Sequence, residues 1–136
     1  MAKSYWLVKS EPTVYSYERL EKEGKAVWDG IRNYTARNSL REMKKGDEVL
    51  FYHSGKDKAV VGVCTVVREA YPEKTKDEGD WVVVDVAPVR KLAKPVTLAV
   101  IKGEKSLAGI GLVRMGRLSV MPLAKGEYER ILALGR

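Results

Sequence analysis

Three runs rich in branched and aromatic residues most constrain how this chain can fold. They are Glu48-Val49-Leu50-Phe51-Tyr52-His53-Ser54, the stretch from Ala59 to Ala70, and the stretch from Trp81 to Val89. Such residues favour the pleated, half-buried surface of a sheet. The first two runs are joined by Gly55-Lys56-Asp57-Lys58, which is short enough to predict a hairpin. In the first run, alternation puts Val49, Phe51 and His53 on one face and Leu50 and Tyr52 on the other. In the third it groups Trp81, Val83, Asp85 and Ala87. Gly62, inside the second run, marks a bulge or a close backbone approach. A further strand, Ser4 to Lys9, ends at Ser10-Glu11-Pro12, because proline disfavours helix at the residue before it.

Helices are expected around these strands. Ser16 can cap a helix from Tyr17 to about Glu23, with Tyr15 and Leu20 at staple spacing and Gly24 past its end. Asn33 can cap a second helix, from Tyr34 to about Met43. At 100° per residue, Tyr34, Arg37, Asn38 and Arg41 fall on one side, and Ala36, Leu40 and Met43 on the other. Tyr71-Pro72 through Gly79 reads as a charged, mobile loop. Leu92-Ala93-Lys94-Pro95 reads as a break, Val96 to Lys102 as a short helix, and Ser106 to Gly111 as loop. Leu112 to Pro122 reads as a basic segment ending in a strand, and Lys125 to Leu134 as a final helix closed by Gly135. This order predicts one α+β domain over residues 1–136, a mixed, barrel-like sheet with flanking short helices.

Composition excludes several classes. With 45% apolar and 32% charged residues, the chain is globular. No apolar run reaches the roughly 20 residues of a membrane span. Met1 to Trp6 has no apolar leader core, so a cytoplasmic location is the default. One cysteine, Cys64, lies within a strand run and reads as a buried thiol. One cysteine and one histidine cannot build a thiolate–imidazole metal site, so no metal and no cofactor are expected. There is no phosphate-binding loop, no three-glycine dinucleotide fingerprint, no nucleophile elbow and no deaminase signature. No catalytic residues are assigned. The net charge of +7 is concentrated late: residues 1–89 carry 15 basic and 15 acidic residues, and residues 90–136 carry 10 and 3. A basic surface points to a polyanion or serves solubility.

Trp28-Asp29-Gly30-Ile31-Arg32-Asn33-Tyr34-Thr35-Ala36-Arg37-Asn38 is unusual in joining aromatics, guanidiniums and amides around a turn. These groups suit a flat, hydrogen-bonding ligand such as a nucleobase with its phosphate. A solvated helix face is the alternative. His53, the single histidine, lies at a strand end, where a structural role is the ordinary reading.

Four segments together resemble the EVE domain, a PUA-like family related to YTH domains. They are Tyr5 to Pro12, Trp28 to Asn38, Val49 to Ser54, and Arg117-Leu118-Ser119-Val120-Met121-Pro122. The resemblance implies a compact β-barrel with flanking helices that recognises a modified base in nucleic acid, notably a modified cytosine in DNA. On that reading the partner is DNA or RNA. Base contacts are expected from Lys9, Ser10, Glu11, Trp28, Ile31, Tyr34, Asn38, Tyr52, His53 and Ser119. Phosphate contacts are expected from Arg32, Arg37, Arg114 and Arg117. An RNA-binding accessory without modification specificity, or a nucleoside-binding enzyme, are the alternatives.

Overall fold

The computed structural model describes residues 3–136; Met1 and Ala2, where the leader reading began, lie outside them. Six strands form one sheet: β1 (Tyr5–Ser10), β2 (Ala26–Trp28), β3 (Glu48–His53), β4 (Ala59–Pro72), β5 (Val82–Thr97) and β6 (Val120–Leu123). Their spatial order is β2-β5-β4-β3-β1-β6. The β1–β3 pair is parallel and the other pairs are antiparallel. Helices α1 (Tyr17–Glu23), α2 (Tyr34–Glu42), α3 (Leu98–Lys102), α4 (Gly111–Arg114) and α5 (Lys125–Leu134) flank it, with a 3-10 turn at Lys105–Leu107.

The α+β class and the flanking short helices match the expectation, but the sheet is not closed into a barrel. Its edges are the three-residue β2 and the four-residue β6. Pro122 removes a backbone donor from β6. Helix α2 packs against β4, β5 and β6.

Local signals set the helix ends. Ser16 Oγ accepts from Arg19 N at 3.1 Å, and Gly24 adopts φ +76° beyond α1. Asn33 Oδ1 accepts from Ala36 N at 2.9 Å, relieving an orphan donor of α2. Ala36, Leu40 and Met43 are buried, as the helical period requires.

Two expectations fail, one in β5 and one at the end of β4. Residues 92–95 continue the strand instead of breaking it. They lie between the paired positions Lys91 and Val96, opposite Val61, so a wide bulge absorbs Pro95 without losing the hairpin. Tyr71 and Pro72 belong to β4, and the following loop is tied down rather than free, as shown below.

The core takes in both faces of β3, where Val49, Leu50, Phe51 and Tyr52 are all buried. One buried carboxylate organises the sheet's lower end. Asp47 accepts from Ser4 N (3.0 Å), Trp6 Nε1 (2.9 Å) and Lys44 N (2.9 Å). A buried charge with this many donors avoids most of the cost of an unpaired one.

Candidate functional site

The ends of β1 and β2 and the chain leading into α1 enclose an open cavity of about 400 Å³. Pro12 turns the chain out of β1, and Asp29-Gly30 turns it out of β2, with Gly30 at φ +75°. Five of the expected ligand residues, Lys9, Ser10, Glu11, Trp28 and Ile31, line this cavity together. The indole of Trp28 is 8% exposed and meets Phe51 and Tyr15 edge-on, at 5.5 and 6.5 Å between ring centres. It therefore offers an edge held rigidly by the core.

Asp29, from the turn after β2, joins these five residues, and the wall also includes groups with no motif to announce them: Val14, Tyr15 and Arg19. Tyr15 had the spacing of a helix staple, which is a structural signal. Its hydroxyl donates to Glu23 at 2.7 Å, and the Arg19 guanidinium lies 4.9 Å above its ring. Burial, reinforced by Glu23, pushes the Tyr15 hydroxyl up to about 12.

Lys9 joins this cavity to the basic segment before β6. Its backbone N–H donates to Ser119 O at 2.9 Å, and its Nζ donates to Gly116 O at 2.6 Å. The same ammonium lies 5.8 Å from the centre of the Tyr52 ring. Burial lowers its pKa from the ordinary lysine value. Ser119 is thus adjacent through its carbonyl. Arg114 and Arg117 are exposed on the same segment, and Arg117 lines a shallower hollow with Asn33, Thr35, Met115, Gly116 and Leu118. Neither arginine has an ion pair among the described residues.

Four expected residues, Arg32, Tyr34, Arg37 and Asn38, make contacts within the fold, and Tyr34 stays exposed. Tyr34 stacks on Trp81 at 5.1 Å, and Arg37 lies 4.8 Å over Tyr34. Arg37 also donates to Gly79 O at 2.6 Å and to Asn38 Oδ1, and Arg41 donates to Asp80 O at 3.1 Å. Arg32 donates to Glu73 Oε2 at 2.6 Å and to Asp77 Oδ2 at 3.0 Å. The polar face of α2 therefore holds the β4–β5 loop by its carbonyls, and Arg32, just before the helix, holds it by its acidic residues. Arg32 holds the Glu73 carboxyl below the ordinary carboxylate range, and Glu73 in turn raises Arg32. Glu73 Oε1 accepts from Gly30 N at 2.8 Å, which ties the loop to the cavity's turn.

His53 is also internal. Tyr17 N donates to its Nε2 at 3.0 Å, which assigns the proton to Nδ1, and Nδ1–H donates to Asp57 at 3.1 Å. Both ring nitrogens are engaged inside the fold. No helix among the described residues is long and apolar enough to cross a membrane.

Comparison with known proteins agrees with this architecture. Residues 4–134 match the family model of the EVE domain. Thymocyte nuclear protein 1 of Mus musculus is 38% identical over 165 aligned positions, which span 96% of this chain and 73% of that protein. A crystal structure of an Agrobacterium tumefaciens protein superposes with a TM-score of 0.93 at 38% identity, covering 97% of this chain and 92% of the other. The crystal structure of human THYN1 in complex with 5-methylcytosine-containing DNA gives a TM-score of 0.90 at 33% identity, over 98% of both chains. With a family match across nearly its whole length, the chain belongs to the EVE domain family.

Proposed function

We propose that this protein is a non-enzymatic nucleic-acid-binding module that takes a modified base, flipped out of its stack, into the cavity beside Trp28. The observation that carries this reading is the cavity itself. It combines an aromatic wall, a polar strand end and a basic neighbouring segment in a member of a family that includes the human protein solved with methylcytosine DNA. A volume of about 400 Å³ lies in the range of small-ligand pockets.

Flipping a base costs a few kcal/mol, and contact with aromatic side chains returns roughly 1–3 kcal/mol per base. Backbone and side-chain groups of Lys9 to Glu11 are assigned to the base's polar edge, with Trp28 and Ile31 as its apolar walls. Tyr52 and Ser119 are assigned a supporting position through their contacts with Lys9. Arg114 and Arg117, without an ion pair among the described residues, are assigned to phosphates. Arg32, Tyr34, Arg37 and Asn38 act from behind, by holding the loop that braces Gly30. His53 fixes the start of α1, whose entry chain walls the cavity.

The test is direct binding to oligonucleotides, DNA and RNA, with and without 5-methylcytosine at one position. Trp28→Ala is expected to weaken binding of the modified DNA at least about tenfold, the loss of one base contact. Unchanged affinity in that variant, with the fold intact by circular dichroism, would refute the assignment. A preference for RNA regardless of modification would instead favour an RNA-binding accessory.

A further inference from the structure

The charged side chains around the cavity are unevenly committed. Lys9 Nζ is spent on Gly116 O, and Arg19 is spent on Glu23 Oε2 and Val14 O. Ser10 Oγ donates to Tyr15 O at 2.6 Å. Neither Glu11 nor Asp29 has an ion pair among the described residues. The Glu11 carboxylate is approached by the Thr13 hydroxyl, at 3.5 Å. Lys9 and Arg19 keep further N–H donors, but the charged acceptors of the wall, Glu11 and Asp29, are the groups without a charged partner among the described residues. The position of the Glu11 carboxylate depends on the room left by a glycine. That carboxylate lies over Gly55, where a Cβ would sit 2.7 Å from Oε1, and Gly55 itself adopts φ +74°. A residue with a side chain at position 55 would push the carboxylate away. Asp29, by contrast, is exposed and also lines the hollow on the far side of β2.

We propose that the Glu11 carboxylate accepts a hydrogen bond from an exocyclic amino group of the base, so that the cavity selects amino-bearing bases over oxo-bearing ones. This rests on the cavity being the base slot. A carboxylate accepts readily from the N4 amino group of cytosine, whereas the O4 of thymine would place lone pairs against it. Methylated cytosine and thymine share the 5-methyl group, so apolar contacts to the methyl cannot separate them. Adenine and hypoxanthine differ in the same amino-to-oxo exchange.

The experiment compares affinity for oligonucleotides identical except at one unpaired position, carrying 5-methylcytosine, thymine, adenine or hypoxanthine. Wild-type protein is expected to prefer 5-methylcytosine over thymine roughly tenfold or more. Glu11→Gln, close in shape, is expected to shrink that ratio to within about threefold, mainly through weaker binding of 5-methylcytosine. Glu11→Ala serves as a second variant, with thermal melting as the check on folding. Equal wild-type affinity for the 5-methylcytosine and thymine strands overturns the proposal while leaving nucleic-acid binding standing. A preference that survives Glu11→Gln and Glu11→Ala but disappears in Asp29→Asn also overturns it. Absence of binding to every strand refutes the base-slot reading beneath it.

Discussion

The ring of Tyr17 fills the space that a side chain at Gly62 would need: a Cβ there would lie 2.5 Å from Tyr17 Cζ. The Tyr17 hydroxyl then donates to the carbonyl of the next residue, Val63, at 2.7 Å. This contact docks α1 onto the bulged middle of β4. It also fixes the direction of the chain from Pro12 to Ser16, which walls the cavity. Gly62→Ala is expected to destabilise by more than about 2 kcal/mol, because ring and backbone cannot both stay in place. Tyr17→Phe keeps the ring but removes the buried hydrogen bond to Val63 O, and should cost about 0.5–1.5 kcal/mol. Urea unfolding of the two variants measures both, and a Gly62→Ala protein as stable as the wild type would refute the packing argument.

Cys64 is two residues further along β4 and fully buried. Burial pushes its thiol above the ordinary cysteine range, so the thiolate needed for reaction is scarce as well as shielded. Alkylation by a thiol reagent at neutral pH is expected to proceed only as fast as the fold opens. The reaction should accelerate sharply across the urea transition. Rapid labelling of the native protein would contradict this placement.

Caps and strands were legible because their causes are local. Ser16, Gly24 and Asn33 each act within a few residues, and β3 and β4 declare themselves by continuous branched residues. Pro95 misled for a related reason: a proline normally ends a strand, and only the pairing of Lys91 with Gly62 and Val96 with Val60 reveals the bulge that accommodates it. The closed barrel was overread because the shortness of β2 and β6 is set by their neighbours. At the site, Lys9 to Glu11 and Trp28 stood out by residue type. Tyr15 and Arg19 did not, since their place in the wall depends on how α1 docks. The polar face of α2 was correctly separated from its core face. What it binds, the carbonyls of Gly79 and Asp80 at the end of the β4–β5 loop, is some forty residues away in sequence.

That loop gives a pH prediction. Glu73 has its pKa lowered in the folded protein, first by the hydrogen bond from Arg32. A group depressed on folding stabilises the fold above its unfolded pKa, and the contribution is lost as pH falls through the folded value. The Glu73→Gln variant lacks this contribution. The difference in melting temperature between wild type and Glu73→Gln should therefore be largest near neutral pH and should shrink to nothing below the carboxylate range. Because Glu73 also accepts from Gly30 N, the acid-induced loosening should be accompanied by faster amide exchange at Gly30 than the change in pH alone produces. A constant difference across the pH range would show that the ion pair with Arg32 does not stabilise the loop.

Arg114 and Arg117 separate electrostatic anchoring from base reading. Both are exposed on the segment that Lys9 Nζ holds through Gly116 O. If each neutralises one phosphate, each releases bound counterions, and affinity falls with salt accordingly. Arg114→Ala and Arg117→Ala are each expected to reduce the slope of log affinity against log salt by about 1. The loss of affinity should be the same for modified and unmodified strands, because a phosphate contact carries no information about the base. Trp28→Ala should do the opposite, narrowing the preference for the modified strand while leaving the salt slope unchanged. Titrations at three or four salt concentrations with paired oligonucleotides distinguish the two behaviours. An arginine variant that changed the preference but not the slope would move that arginine from the phosphate path to the base.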